Sequence, residues 1–182
     1  SRKAKILAYY RSEAAKHGLG GTSTIQDIRI RRLEVDALCS YIRDGDRIAE
    51  IGCGNGYVAQ QIVERFDVEL DASDASPDMV ALARQRPLAG SRGRLRFSQQ
   101  DVLSFSPDRL YDLIFTERCL QNLVSWDDQQ AALRNIARSL RRGGRFLMLE
   151  CFLTGLNTLN AAREELDLPP IEAPWFNLFF DE

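Results

Sequence analysis

The chain has 182 residues, of which 45% are hydrophobic and 27% are charged, and its formal net charge is -2. This composition fits one globular domain over residues 1–182, and a weakly acidic chain lacks the basic face of a general nucleic-acid binder, so no nucleic-acid partner is expected. No apolar run is long enough to span a bilayer and no signal peptide is visible, so no membrane partner and a cytoplasmic location are predicted. The start at Ser1 without Met is expected of a trimmed or processed N-terminus.

Cysteine and histidine usage argues against metal chemistry. The four cysteines, Cys39, Cys53, Cys119 and Cys151, lie far apart and form no metal-type pair. We interpret them as small buried hydrophobes in a reducing compartment. His17 is the only histidine, so a His-based zinc site or a Ser-His-Asp triad has almost no residues to use, and no metal is predicted.

Two helices are predicted before the first strand. Apolar residues recur at helical spacing within Arg2–Lys16, and glycines at positions 18, 20 and 21 then break the pattern. A second helix is expected to start near Thr24, whose side chain would cap it ahead of Asp27, and to stop before Asp44. Residues 1–44 are therefore predicted to form a helical cap over the mouth of a pocket.

The stretch from Ile48 to Gly56 organises the rest of the chain. It has the pattern of a buried strand that runs into a glycine-rich turn, and a helix is predicted over Tyr57–Phe66. Glycines at 52, 54 and 56 remove Cβ atoms where the backbone must turn and a ligand must approach it. Because a helix N-terminus presents free N–H groups, the stretch predicts a pocket for a nucleotide-type cofactor.

Strand and helix patterns alternate from here onward. Helices are expected after the capping residues Ser76, which Pro77 follows, and Ser125, and the second of these helices should end at Gly143 and Gly144. The further strands are predicted at Val68–Ser73, Leu95–Ser98, Tyr111–Thr116 and Phe146–Leu149. This alternation predicts an α/β fold with a doubly wound parallel sheet and helices on both of its faces.

The pattern loosens after the predicted core, which covers residues 45–152. A helix is expected over Leu156–Leu166, and the apolar segment Trp175–Phe180 lies close to the end of the chain. An apolar end of this kind usually packs against another element. Residues 153–182 are therefore expected to be a truncated substrate-side segment, or to be covered by a second copy in a homodimer.

The glycine turn is compatible with two cofactors. Gly54 to Ala59 match the pattern G-x-G-x-x-G/A, and Asp74 follows at the distance, ~20 residues, of the acidic residue that binds a ribose in dinucleotide enzymes. This match alone permits an NAD(P)-dependent oxidoreductase, although a single glycine pattern is weak evidence.

A wider set of motifs favours the other cofactor. Glu50-x-Gly52-x-Gly54-x-Gly56 resembles motif I of the class I S-adenosylmethionine-dependent methyltransferases. Four further segments resemble those of the family in the same order: Asp74–Met79, Gln100–Val102, Asp112–Leu120 and Leu140–Phe146. The resemblance implies the Rossmann-like fold of that class, although its final antiparallel strand pair is not identifiable before residue 182. It also implies methyl transfer from S-adenosylmethionine to an O or N nucleophile of a small molecule, such as a natural product or a saccharide, with S-adenosylhomocysteine as the product.

The resemblance places eleven residues around the cofactor: Arg31, Glu50, Gly52, Gly54, Gly56, Asp74, Ala75, Met79, Asp101, Val102 and Glu117. Asp74 would accept hydrogen bonds from both ribose hydroxyls, since a carboxylate suits a contact through two oxygens. Asp101 would accept from the adenine amino group, and the Val102 N–H would donate to a ring nitrogen. Met79 would cover the adenine face, although it equally fits a plain core position.

Three charged residues are assigned to the turn and to the amino-acid end of the cofactor. Glu50 is expected to fix the glycine turn by hydrogen bonds and to reach the methionine amino group. Glu117 is expected to meet that ammonium. Arg31 is the candidate for the cofactor carboxylate, and a solvated helix charge is its alternative role.

No residue is predicted to be catalytic. Glu117, Tyr9, Tyr10 and Glu150 are candidates to assist proton removal from the acceptor. Asp71 departs from the family pattern, because it falls inside the second strand where an apolar residue is expected. A non-catalytic module that keeps the cofactor fold is a third interpretation of the sequence.

Overall fold

The computed structural model describes residues 2–23, 25 and 27–181. Its strands are β1 Arg47–Ile51, β2 Glu69–Asp74, β3 Arg94–Gln99, β4 Tyr111–Glu117 and β5 Leu140–Leu149. They form one sheet in the order β3-β2-β1-β4-β5, and every neighbouring pair is parallel. The predicted doubly wound α/β fold is confirmed. The strand order reverses between β1 and β4, which is the position where open α/β sheets bind ligands.

Six α-helices and two short 3-10 helices are described. They are α1 Arg2–His17, α2 Ile28–Cys39, α3 Tyr57–Arg65, α4 Pro77–Ala83, α5 Trp126–Ser139 and α6 Leu153–Glu164, with the 3-10 turns at Val102–Ser104 and Leu120–Asn122. Ser76 and Ser125 cap α4 and α5 through their hydroxyls, as predicted. The N-cap of α2 is Asp27, whose carboxylate accepts from two backbone N–H groups, while the predicted cap Thr24 lies outside the described residues.

The two faces of the sheet carry separate apolar layers. Ile48 of β1 packs with α2 and α3 on one face, whereas Ala49 and Ile51 pack with α5 on the other. This alternation follows from the two-residue period of a strand, and each fully buried Ile or Leu contributes about 1.5–3 kcal/mol. Burial on both faces agrees with the prediction of a buried strand, since Ile48 to Ile51 are all buried.

The end of α5 differs from the prediction. The helix stops at Ser139, and Leu140 is already extended and paired with Tyr111. Gly143 and Gly144 therefore lie inside β5, at the point where its register against β4 shifts. Gly143 has φ +77°. The glycines mark an irregularity of the strand, which needs a left-handed residue, and they do not terminate the helix.

Asp71 lies within β2 despite its charge. Its carboxylate accepts from Arg96 Nε at 2.8 Å and from the Tyr111 hydroxyl at 2.9 Å, and it pairs with Arg109. These partners explain how a carboxylate is tolerated inside the strand, which begins one residue later than predicted.

The apolar C-terminal segment packs on its own chain. Phe180 forms a parallel bridge with Phe152, its N–H donates to the Cys151 carbonyl at 3.0 Å, and its ring is buried beside that of Phe152. Helix α6 begins earlier than predicted and buries none of its residues. No antiparallel strand pair follows β5 in the described part of the chain. Over the same residues, no helix combines the length and the apolar character that crossing a membrane requires.

Candidate cofactor-binding site

A cavity of about 410 Å³ lies at the carboxyl ends of β1, β2 and β4. The turn after β1 forms its floor. Its lining also includes Asp74 and Ala75 at the end of β2, and Glu117 to Cys119 at the end of β4. Helix α1 and residues of the C-terminal segment also line it. Helix α2 packs against α3 beside the sheet and contributes Arg31 to the lining, and a cap formed by residues 1–44 stays a prediction.

Eight of the eleven predicted residues line this cavity: Arg31, Gly52, Gly54, Asp74, Ala75, Asp101, Val102 and Glu117. The structure does not bring Glu50, Gly56 and Met79 into the lining, and Met79 is fully buried on α4. The contacts of these residues with a cofactor remain predictions.

The glycine turn is held by β2. The N–H groups of Gly52 and Cys53 donate to the Ser73 carbonyl at 2.8 and 2.9 Å, and the Gly54 N–H donates to Asp74 Oδ2 at 2.8 Å. These hydrogen bonds hold the turn through β2, and the role of the Glu50 side chain in fixing it stays a prediction. A Cβ on Gly54 would meet no atom within 4 Å, so this glycine leaves open space beside the cavity.

Asp74 is oriented by two backbone groups. Its Oδ1 accepts from the Ser76 N–H at 2.8 Å, and its Oδ2 accepts from Gly54. Burial raises the pKa of this carboxyl, and the two backbone hydrogen bonds oppose the shift. A carboxylate oxygen accepts more than one hydrogen bond, so both oxygens remain able to receive ligand hydroxyls.

Asp101 links the sheet to α1. Its Oδ1 accepts from the Leu103 N–H at 2.9 Å and so caps the 3-10 turn that contains Val102. Its Oδ2 forms an ion pair with Lys3. Lys3 was not predicted at the site, because nothing in its local sequence indicates a partner 98 residues away.

Arg31 and Glu117 pair with each other. Arg31 Nη1 donates to both Glu117 oxygens at 2.9 and 3.0 Å, and Arg118 Nη2 donates to one of them at 3.2 Å. Arg118 Nη1 in turn binds both oxygens of Glu34 at 2.7 and 2.8 Å. Burial, followed by the neighbouring Glu117 carboxylate, raises the pKa of Glu34 to about 7. Arg31 and Glu117, which were predicted to bind the carboxylate and the ammonium of the methionine portion, thus belong to one buried network of ion pairs.

Two buried polar atoms beside this network lack partners. Arg31 Nε and Glu50 Oε2 form no hydrogen bond with any described residue. Burial, and then the charge of Glu117, raises the pKa of Glu50 to about 8. One free N–H donor and one free carboxyl oxygen are therefore present in this region, and a buried group without a partner is costly unless a ligand satisfies it.

The remaining part of the cavity is lined by residues that motif analysis missed. They are Ile6, Leu7, Arg118, Asn122, Leu123, Val124, Asp128, Pro174, Phe176 and Asn177. Tyr9 and Tyr10 also line it, and the Tyr9 ring lies 4.8 Å from that of Phe176 between centroids. The apolar C-terminal pattern gave the one signal of a packed segment, but no sequence spacing paired it with α1.

Glu150 has a structural position. Its carboxylate accepts from the backbone N–H groups of Cys119, Leu120 and Gln121 at 3.0 to 3.1 Å, and it lies outside the cavity lining. It therefore caps the 3-10 turn after β4, and the structure does not bring it to the acceptor. No group of three His, Cys, Asp or Glu side chains suited to a metal ion occurs among the described residues.

Comparison with known proteins identifies the family. A family model described as a methyltransferase domain matches residues 48–144, more than half of the chain. Malonyl-[acyl-carrier protein] O-methyltransferase 1 of Ilyobacter polytropus is 36% identical over 120 residues, which are 65% of this chain and 42% of that protein. The 27-O-demethylrifamycin SV methyltransferase of Amycolatopsis mediterranei is 30% identical over 129 residues, 70% of this chain and 46% of that one. The chain spans about half the length of the curated relatives it matches.

A solved structure shows the same fold. The magnesium protoporphyrin IX methyltransferase ChlM from Synechocystis PCC 6803, with bound SAH, aligns with a TM-score of 0.73 at 17% identity, over 99% of this chain and 84% of that chain. The fold, the order of the motifs and the match over residues 48–144 together confirm the resemblance inferred from the sequence. The chain belongs to the methyltransferase-domain family, with the class I fold.

Proposed function

We propose that this chain binds S-adenosylmethionine and transfers its methyl group to an O or N nucleophile of a small molecule. The observation that carries the proposal is that Gly54, Asp74 and Asp101 all line one cavity, which lies where the strand order of the sheet reverses. These three features suit a nucleoside cofactor. The open space at the turn and the two oriented oxygens of Asp74 suit its ribose, and the second carboxylate, Asp101, suits its adenine.

The charged end of the cavity supports the same cofactor. The amino-acid portion of S-adenosylmethionine carries an ammonium and a carboxylate. Glu50 Oε2 and Arg31 Nε are the buried acceptor and donor that lack partners among the described residues. Arg31, which lines the cavity, would hold the carboxylate through Nε, so that this buried donor gains a hydrogen bond. Glu50 is buried behind the lining, and its contact with the ammonium stays a prediction.

When bound, S-adenosylmethionine supplies an activated sulfonium methyl group. Its transfer breaks the sulfur–carbon bond, leaves the electron pair on sulfur and forms a carbon–oxygen or carbon–nitrogen bond, and the acceptor releases a proton. The task of the protein is to align the two reactants and to exclude water. Burial raises the pKa of Tyr10, so at neutral pH its hydroxyl is a hydrogen-bond donor and not a base.

Calorimetry with S-adenosylhomocysteine tests the cofactor assignment. The chain should bind it, and Asp74→Ala should weaken binding about 100-fold, because two hydrogen bonds to a charged group are lost. Asp108→Ala removes an exposed carboxylate outside the cavity and should leave the affinity unchanged. Thermal unfolding of each variant checks that the fold is intact.

The same experiment separates the alternatives. Binding of NADH, with no binding of S-adenosylhomocysteine, would instead indicate an oxidoreductase. Binding of S-adenosylhomocysteine with no methyl transfer to a broad panel of hydroxyl and amine acceptors would indicate a binding module. Unchanged binding by a folded Asp74→Ala variant would reject the proposed site. The relative from Amycolatopsis mediterranei named above, a 27-O-demethylrifamycin SV methyltransferase, supports a small-molecule acceptor.

We also propose that the chain is cytoplasmic and forms a homodimer. The four free cysteines fit a reducing compartment. The exposed apolar side chains that would form the contact are Leu166, Leu168, Ile171, Trp175 and Leu178. Sedimentation velocity should detect a dimer that Leu166→Glu weakens, and a monomer at all concentrations would contradict it.

A further inference from the structure

The cavity has an aromatic wall, which consists of Tyr9, Tyr10 and Phe176. The Tyr9 and Tyr10 rings meet edge to face, with centroids 5.3 Å apart, and Tyr9 lies against Phe176. Aromatic side chains offer large, rigid apolar surfaces that suit a flat ring in a ligand. The aromatic wall therefore favours a flat ligand, but it does not determine which polar groups that ligand carries.

Two asparagines of the cavity lining offer hydrogen-bond acceptors without a partner, whereas the Tyr10 hydroxyl is a donor. Asn122 Nδ2 donates to the Arg118 carbonyl at 2.9 Å, which leaves Asn122 Oδ1 as the free end of that amide. Asn122 Oδ1 and Asn177 Oδ1 are buried and have no partner among the described residues. Both residues line the cavity. Two unpaired carbonyl oxygens favour a ligand that brings N–H or O–H groups.

A carboxylate also lines the cavity. Asp128 contributes it from the first turn of α5, where the backbone N–H of Asp128 donates to the Ser125 hydroxyl. This backbone contact is the hydrogen bond described for Asp128, and its carboxylate has no described partner within residues 2–23, 25 and 27–181. The other lining carboxylates, Asp74, Asp101 and Glu117, all have partners.

The cations of the lining are already neutralised. Lys3 pairs with Asp101, Arg31 with Glu117, and Arg118 with both Glu34 and Glu117. A carboxylate in the acceptor would compete with a carboxylate that already neutralises the cation. The cost is large at the buried Arg31–Glu117 pair and small at the exposed Lys3–Asp101 pair. Among the described lining residues there is therefore no unpaired cation for an anionic acceptor.

We infer that the methyl acceptor is a flat, apolar ring compound that carries an amine or a hydroxyl, and that it is not a carboxylate. This inference rests on the proposed function, and it names the substrate class of the same cavity. The ring lies on the aromatic wall, the donor groups bind Asn122 and Asn177, and an ammonium binds Asp128.

Three probes with one ring system test the inference. The chain is saturated with S-adenosylhomocysteine, and 2-naphthylmethylamine, 2-naphthol and 2-naphthoate are titrated by calorimetry. The amine and the alcohol should each bind at least about tenfold more tightly than the carboxylate. Asp128→Asn should weaken the amine about tenfold and leave 2-naphthol unchanged. Asp127→Asn is the matched control, since it removes an exposed charge from the same helical turn.

Each outcome supports or overturns the inference. Tighter binding of 2-naphthoate, binding of none of the three probes to the saturated protein, or equal effects of the two Asp variants would overturn it. Failure of S-adenosylhomocysteine itself to bind is a different result, which would remove the proposed function first. Because cofactor binding is measured before the probes are added, the two failures are distinguishable.

Discussion

The three glycines after β1 all have positive φ angles but meet different neighbours. A Cβ on Gly52 would lie 2.5 Å from the Cys119 side chain, and one on Gly56 would lie 2.7 Å from the Phe97 ring. A Cβ on Gly54 would have open space. Gly52 and Gly56 are thus required by the packing of the protein itself, whereas the space beside Gly54 is available to a ligand.

Alanine substitutions should separate these roles. Gly56→Ala is expected to destabilise the fold by about 3 kcal/mol, through overpacking and a strained φ of +75°. Gly54→Ala has only the backbone strain, about 1 kcal/mol, but its methyl group would occupy ligand space, so S-adenosylhomocysteine affinity should fall at least about tenfold. Urea denaturation and calorimetry measure the two effects. Similar stability losses in both variants would contradict this division.

Glu50 should make stability depend on pH. Its pKa of about 8 in the fold lies above the ordinary value of 4.5. The folded state therefore binds a proton that the unfolded state has released, and this stabilisation is complete below pH 4.5 and is lost as pH rises through 8. Glu50→Gln mimics the protonated form. Its stability relative to the wild type should increase by about 3 kcal/mol between pH 5 and pH 8.

Urea unfolding curves at several pH values measure this difference. Glu64→Gln is the control, since Glu64 is exposed on α3, and its stability relative to the wild type should not change over the same range. A constant offset between Glu50→Gln and the wild type would show that Glu50 is ionised in the fold.

At the scale of elements, α1 is held less firmly than the helices on the sheet. It buries only Ile6 and Ala14, and exposed ion pairs join Lys3 to Asp101 and Arg11 to Asp78. Exposed pairs contribute about 0–1 kcal/mol each. Helix α3 buries four residues in the core.

We therefore expect α1 to open locally without unfolding of the domain. Its backbone amides should exchange with deuterium at least about tenfold faster than those of α3. Because α1 lines the cavity, S-adenosylhomocysteine should slow exchange in α1 and change α3 little. Hydrogen exchange followed by mass spectrometry measures both. Equal protection of the two helices without ligand would show that α1 is a fixed part of the core.

The boundaries of elements show where local sequence signals end. Ser76 and Ser125 were read correctly as caps, because a cap hydrogen bond lies within three residues of its donor. The prediction that Gly143 and Gly144 end the helix is wrong, because Leu140 pairs with Tyr111 on β4 and the helix stops before it. A glycine indicates a left-handed or crowded backbone position, but the element that contains it depends on tertiary pairing.

At the scale of the whole molecule, the cofactor side was more predictable than the acceptor side. The sheet was predicted from strand and helix periodicity. Asp74 is the last residue of β2 and Asp101 comes two residues after β3, and both strands end at the same edge of the sheet. The acceptor side joins α1 to a segment 167 residues later, through the rings of Tyr9 and Phe176. No local pattern encodes such a contact. Tyr9 and Tyr10 were therefore candidates on the acceptor side by residue type alone, and Phe176 was not predicted there.

The last residues of the described chain should contribute to the stability of the domain. Phe180 is 6% exposed and packs in the layer that covers β4, whereas Trp175 is 53% exposed. Phe180→Ala is expected to lower the free energy of unfolding by about 3 kcal/mol, because a buried aromatic ring leaves a cavity. Tyr41→Ala, a matched change from aromatic to alanine at a position that is also 53% exposed and lies outside the proposed dimer contact, should alter it by less than about 0.5 kcal/mol. Urea denaturation compares the two variants at one protein concentration, and equal effects would show that the terminal segment does not belong to the folded core.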